Sequence, residues 1–122
     1  MSETHLRNRR VLLVEDEYFI ADAMRRGLEE AGAIVIGPAA SVRDALALLD
    51  SETVDGAILD VKLDDEGVFP VADVLQARGI PFLLATGYNT FDLPPEWRHV
   101  ARFEKPVDVA VAARQLFGNG AT

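Results

Sequence analysis

The chain contains no cysteine and only two histidines. That excludes thiol catalysis, disulfide frameworks and Cys-based zinc or iron–sulfur sites, and it fits a reducing cytoplasm. His5 and His99 suggest no metal constellation. Positive charge is scarce as well, with 12 Lys and Arg against 20 Asp and Glu and a formal charge of −8. A phosphate backbone is held mainly by Lys and Arg, so nucleic acid is not an expected partner. Long apolar runs are missing too. Stretches such as Ile80 to Ala85 fall far short of the ~20 residues a membrane helix needs. Met1 to Arg10 lacks the apolar region of a signal peptide, so no membrane association is expected.

What is present is a chain of 122 residues, 49% of them apolar. A single domain of this size buries roughly two-thirds of the surface its unfolded chain exposes, without needing disulfides or structural metal. Arg7, Arg9 and Arg10 outweigh Glu3 in the first ten residues, and read as a solvated tail beside the first strand. Residues 1–9 are therefore expected to be a flexible tail, 10–118 a single domain and 119–122 a second tail. The acidic excess falls on the rest of the chain, concentrated enough to hold a cation.

Val11 to Val14 is short, branched and apolar on both parities, as in a strand buried on both faces of a parallel sheet. Ile20, Met24, Leu28 and Ala31 then recur at helical spacing up to Gly32. The alternation repeats. Ala33 to Ile36 reads as a strand, Gly37-Pro38 as a break, and Ser41 as the N-cap of a helix bearing Val42, Ala45, Leu46 and Leu49. Ala57 to Leu59 forms a third strand ending at Asp60, and Pro70 starts a helix with Val71, Ala72 and Leu75 that closes near Gly79. Pro81 to Ala85 and Val100 to Phe103 supply two more strands, and Val107, Ala110, Val111 and Arg114 mark the last helix. Tyr88 to His99, with Pro94-Pro95 and no sustained apolar period, predicts a short or mobile fourth helix. These alternations predict a flavodoxin-like α/β fold, a doubly wound five-stranded parallel sheet of order 2-1-3-4-5 with helices on both faces.

In such a sheet ligands gather outside the carboxyl ends of the strands, where the strand order reverses. Strand one ends at Glu15-Asp16, strand three at Asp60 and strand four at Thr86, while Lys105 follows strand five. Neighbouring strands lie about 4.8 Å apart, which brings Glu15, Asp16 and Asp60 within reach of one ion. Crowded carboxylates repel unless they share a cation, and an oxygen-only set favours hydrated Mg²⁺. Lys105 and the Thr86 hydroxyl are suited to phosphoryl oxygens, so Asp60 reads as an acceptor of a phosphoryl group.

Val11-Leu12-Leu13-Val14-Glu15-Asp16-Glu17, Ile58-Leu59-Asp60, Ala85-Thr86-Gly87 and Lys105-Pro106 together resemble the receiver domain of two-component response regulators. The resemblance implies that Asp60 is phosphorylated by a sensor histidine kinase. It implies that Glu15, Asp16, Asp60 and the main-chain carbonyl of Lys62 hold Mg²⁺, that Thr86 and Lys105 contact the phosphoryl group, and that the Lys105–Pro106 peptide is cis. Histidine phosphotransfer proteins or downstream regulators are further partners it implies. Such a domain is not an enzyme beyond Mg²⁺-dependent self-phosphorylation and self-dephosphorylation. Pro70-Val71-Ala72-Asp73 and Pro81-Phe82-Leu83-Leu84-Ala85-Thr86-Gly87-Tyr88 resemble the alphaproteobacterial FAT GUY subfamily of single-domain regulators, with Leu84 in place of the motif's Phe.

Arg102 stands where most receivers carry a Tyr or Phe, so switching is expected to rely on ordering the segment from Tyr88 to His99. Glu15 replaces the commoner Asp and is expected to reach the metal through water. Lys62 and Tyr88 read equally as gates for the attacking water and as ordinary loop residues, and Phe91 and Trp97 read as local packing more than as partner anchors. Two other classes compete with the phosphoacceptor. A haloacid-dehalogenase-type phosphatase wants a second Asp where Lys62 stands, and a pseudo-receiver would dock partners without phosphorylation of Asp60.

Overall fold

The structure, a computed structural model, describes residues 6–63, 66–87, 93–105 and 107–118, with Lys62 and Glu66 described by main chain only. The elements run β1 (Arg10–Val14), α1 (Tyr18–Glu30), β2 (Ile34–Ala39), α2 (Val42–Ser51), β3 (Gly56–Asp60), β4 (Lys62–Leu63), β5 (Glu66–Gly67) and α3 (Phe69–Ala77). They continue with β6 (Phe82–Thr86), a 3-10 turn at Pro95–Trp97, β7 (Arg102–Glu104), and α4 (Val109–Ala113), which passes into a π-helical turn at Arg114–Gly118. The main sheet has the order β2-β1-β3-β6-β7, every neighbouring pair parallel, while β4 and β5 form a separate antiparallel hairpin. Without the hairpin this is the expected 2-1-3-4-5 arrangement.

Side chains alternate between the two faces of a strand, so each strand feeds two cores. Leu12, Val14, Leu59 and Leu84 join Val42, Ala45 and Leu49 of α2 and Val71 and Leu75 of α3 on one side. Val11, Leu13, Ile58, Leu83 and Ala85 pack with Met24 and Leu28 of α1 and with Ala112, Ala113 and Leu116 on the other. The Ser41 hydroxyl caps α2 as expected, accepting from the Asp44 amide at 3.0 Å. The pairings of Val14 with Leu59 and of Asp60 with Ala85 keep the carboxyl ends of β1, β3 and β6 level.

Two expectations need correcting. Gly37-Pro38 does not end the second strand; β2 runs on to Ala39 through a cis Gly37–Pro38 bond, with a register shift against β1 between Leu12 and Val14. An edge strand tolerates a proline because one side of it has no ladder partner to serve. Gly37 is required there: its φ is +101°, and a Cβ would stand 2.7 Å from the Ala39 nitrogen. The extension matters for the site, since the Ala39 carbonyl accepts from the Glu15 amide at 2.9 Å.

Second, the N-terminal boundary moves. Leu6 is buried, the Asn8 amide donates to the Gly32 carbonyl, and the Arg9 guanidinium lies 4.6 Å over the Phe117 ring. Arg10 bonds Asp55, Thr53 and Glu52, so Arg9 and Arg10 are tied to the fold and are no solvated tail, while Arg7 is exposed. The described part of the fourth crossover, where a short fourth helix is expected, holds a 3-10 turn at Pro95–Trp97. Pro94 and Pro95 remove two amide donors there, and Leu93 and Trp97 are its buried anchors. Tyr88, Phe91, Pro106 with its expected cis bond, and 119–122 lie outside the described residues.

Candidate functional site

The site is built at the level carboxyl edge of β1, β3 and β6. Glu15 and Asp16 leave β1, Asp60 ends β3, Thr86 ends β6 and Lys105 follows β7. Among the described residues, Glu15, Asp60 and Thr86 are the buried polar ones, at 3%, 5% and 5% exposure, in an otherwise apolar interior. Asp16 is exposed. Carboxylate oxygens of Glu15, Asp16 and Asp60 all lie within 4.8 Å of one another.

Among the described side chains, one cation reaches into this group. The Lys105 Nζ sits 3.2 Å from each Glu15 oxygen and 3.3 Å from Asp60 Oδ2. Burial acts to lower the Lys105 pKa, but the Asp60 carboxylate and then that of Glu15 more than offset it and hold the ammonium above its ordinary 10.5. The lysine is placed by its own backbone, whose amide donates to the Thr86 carbonyl at 2.8 Å.

Two main-chain groups complete the geometry, and neither left a signal in the side-chain pattern. The Glu17 amide donates to Glu15 Oε2 at 3.0 Å, which turns that carboxylate inward. The Thr86 hydroxyl donates to the Phe103 carbonyl at 3.4 Å, so it is directed at β7. The structure thus brings Glu15, Asp16, Asp60, Thr86 and Lys105 to one edge, with the Lys62 main chain at the start of β4, next to Val61. The Lys62 side chain, one of the two expected gates, lies outside the described residues.

The residues present fit a hard cation. Three carboxylates face one ammonium, and Glu15 Oε1 is buried with no hydrogen bond aligned on it. A buried, incompletely satisfied carboxylate is costly, and an oxygen-only donor set suits an ion of the Mg²⁺ type.

An open doubly wound sheet whose switch edge gathers two buried acids, an exposed one and a lysine defines a flavodoxin-like α/β protein with a charged cluster where such folds place their ligands. The comparisons are specific. The family model described as the response regulator receiver domain matches residues 11–95, and the chain belongs to that family of two-component signalling domains. The Sensory transduction protein LytT of Bacillus cereus is 33% identical over 87 residues, covering 69% of this chain and 35% of LytT. The chain thus spans about a third of the length of that curated relative. Among solved structures, SdrG from Sphingomonas melonis Fr1 in solution is 35% identical with a TM-score of 0.77, covering 92% of this chain and 94% of SdrG. The response regulator PhyR from Brucella abortus is 25% identical with a TM-score of 0.79, covering 98% of this chain and 52% of PhyR.

Proposed function

We propose that the chain is a phosphoacceptor that receives a phosphoryl group on Asp60 from the phosphohistidine of a sensor histidine kinase, in a Mg²⁺-dependent phosphorelay. The observation that carries this reading is the Lys105 ammonium held 3.3 Å from the buried Asp60 carboxylate, inside a cluster of three carboxylates.

In the transfer a carboxylate oxygen of Asp60 forms the new P–O bond as the P–N bond to the donor histidine breaks, and the leaving imidazole nitrogen keeps the electron pair. Little covalent chemistry falls to the protein in such a loose transfer, so positioning and charge dominate. Lys105 stands beside Asp60 to pair with a phosphoryl oxygen. Its second partner, Glu15, keeps the ammonium in place before and after the event. The Thr86 hydroxyl serves another phosphoryl oxygen once it leaves the Phe103 carbonyl. Glu15, Asp16, Asp60 and the Lys62 carbonyl are the residues that would hold Mg²⁺. When bound, that ion supplies charge neutralisation for the transferring group.

The partner reading follows from the surface next to the site. Tyr18 and Phe19 open α1 three and four residues beyond Glu15, 73% and 84% exposed with rings 5.4 Å apart, and give a docking kinase an apolar foothold. Phosphotransfer from such a kinase puts the chain in the cytoplasm, and a histidine phosphotransfer protein or a downstream regulator would read the result.

Incubation with acetyl phosphate and Mg²⁺ is expected to add one phosphoryl mass to the wild type and none to Asp60→Ala. Equal labelling of both, or labelling of neither, would sink the reading in favour of a docking module.

A further inference from the structure

The geometry points to an aromatic stack, Phe69 on Trp97, as the route by which an event at Asp60 reaches the 93–100 segment. This inference rests on the phosphoacceptor reading above and assigns the regulation of that same site.

The path starts at the peptide after Asp60. The Val61 amide donates to the Ala85 carbonyl at 3.1 Å, and the Val61 carbonyl accepts from the Val68 amide at 3.0 Å. Residues 61 and 68 are therefore tied together. Between them β4 and β5 pair through Lys62 with Gly67 and Leu63 with Glu66, while Leu63 and Val68 are buried in the core. Residues 61–63 and 66–68, joined by these hydrogen bonds and plugged by two buried side chains, move as a body. A displacement at Asp60 is passed on to Val68 and Phe69.

Phe69 is partly buried against this core and packs on the hairpin. Its ring lies so close over Gly67 that a Cβ there would stand 2.8 Å from Phe69 Cδ2. The other face of the path is Trp97, stacked on Phe69 with centroids 6.0 Å apart and planes 20° off parallel. Trp97 is 3% exposed and also meets Phe82 edge-on at 6.1 Å. Packed cores shift between discrete arrangements more readily than they deform, so a moved Phe69 displaces the indole.

From Trp97 the motion spreads through the segment as a unit. The Trp97 amide donates to the Pro94 carbonyl, the Val100 amide to the Trp97 carbonyl, and Arg98 Nε to the Leu93 carbonyl. The competing route runs from the Thr86 hydroxyl to the Phe103 carbonyl on β7, beside the exposed Arg102.

Trp97 is the sole tryptophan of the chain, so its emission reads this indole alone. With Mg²⁺ and beryllofluoride, ¹⁹F NMR reports whether an adduct forms, and tryptophan emission with acrylamide quenching reports the indole. In the wild type we expect the adduct together with a shifted Trp97 emission. Phe69→Leu should keep the ¹⁹F adduct and lose the emission shift, and Arg102→Ala should keep both. In amide spectra of the wild type, Val61, Val68 and the Trp97 indole should move together as beryllofluoride is added, which tests the path even if Phe69→Leu folds poorly. An adduct with unchanged Trp97 emission, a full response in Phe69→Leu, or a response abolished by Arg102→Ala would each overturn this inference alone. Absence of any ¹⁹F adduct would overturn the phosphoacceptor reading and this inference with it.

Discussion

The crossovers that follow the two central acid-site strands are held in different ways. After β3 the chain forms a hairpin and then α3, whose Val71, Ala72 and Leu75 are buried in series along a nine-residue helix. After β6 the described residues offer a three-residue 3-10 turn with two buried anchors, Leu93 and Trp97. A helix spreads its hold over several residues, none of them decisive. A turn depends on its anchors one by one. Among the described residues, the crossover after β3 is therefore braced in several places, and the crossover after β6 is pinned at few.

The largest expected effect breaks that contrast at its weakest point. Trp97→Ala removes the indole from between Phe69 and Phe82 and leaves a void in a core of native density. Large aromatic deletions of this kind cost about 3–5 kcal/mol. Urea unfolding of the variant should show that loss. A change within ~0.5 kcal/mol, the ordinary range of surface substitutions, would mean that the segment is held from elsewhere and that the two crossovers do not differ as described.

A second effect is read in pH. The folded pKa of Lys105 is raised, so the folded state binds this proton more tightly than the unfolded chain does. The stabilisation is fully present below the ordinary lysine value of 10.5 and is lost as pH rises through the higher folded value. In EDTA, wild-type stability should fall across that interval, and Lys105→Met should flatten this part of the profile. The same variant at neutral pH leaves the acid cluster without its ammonium, so its stability should gain more from added Mg²⁺ than the wild type's does. Parallel profiles for the two proteins above pH 10.5 would show that the lysine is not coupled to the acids.

Much of this architecture was legible in the residues because the relevant signals are local. Apolar runs marked the strands, Ser41 marked a helix start, and the chemistry lay at strand ends, where a parallel sheet puts its ligands. What escaped were features that only tertiary structure creates. Two-residue strands such as β4 and β5 are too short to show a period. Gly37-Pro38 reads as a break in any sequence, and continues a strand here because β2 is an edge. The partners that aim Glu15 and Thr86 are the Glu17 amide and the Phe103 carbonyl, groups that every residue type carries. Trp97 was read as local packing; its buried place between two phenylalanines depends on residues distant in the chain.

The smallest effects sharpen the comparison where it bears on the helices. Both α2 and α4 are capped by side chains: Ser41 accepts from the Asp44 amide, and Asp108 accepts from the Ala110 and Val111 amides at 2.8 and 3.2 Å. Either cap replaced by alanine should cost about 1 kcal/mol in isolation. The helices behind them differ, since α2 has ten residues and α4 has five before its π turn. A short helix has few internal hydrogen bonds to hold it once its first turn frays. Asp108→Ala should therefore raise amide exchange throughout Val109 to Ala113, whereas Ser41→Ala should raise it only in the first turn of α2. If exchange after Asp108→Ala stays confined to the first turn, α4 is held by its packing on α1, where Val109 lies so close to Gly27 that a Cβ there would be 2.9 Å from its Cγ2.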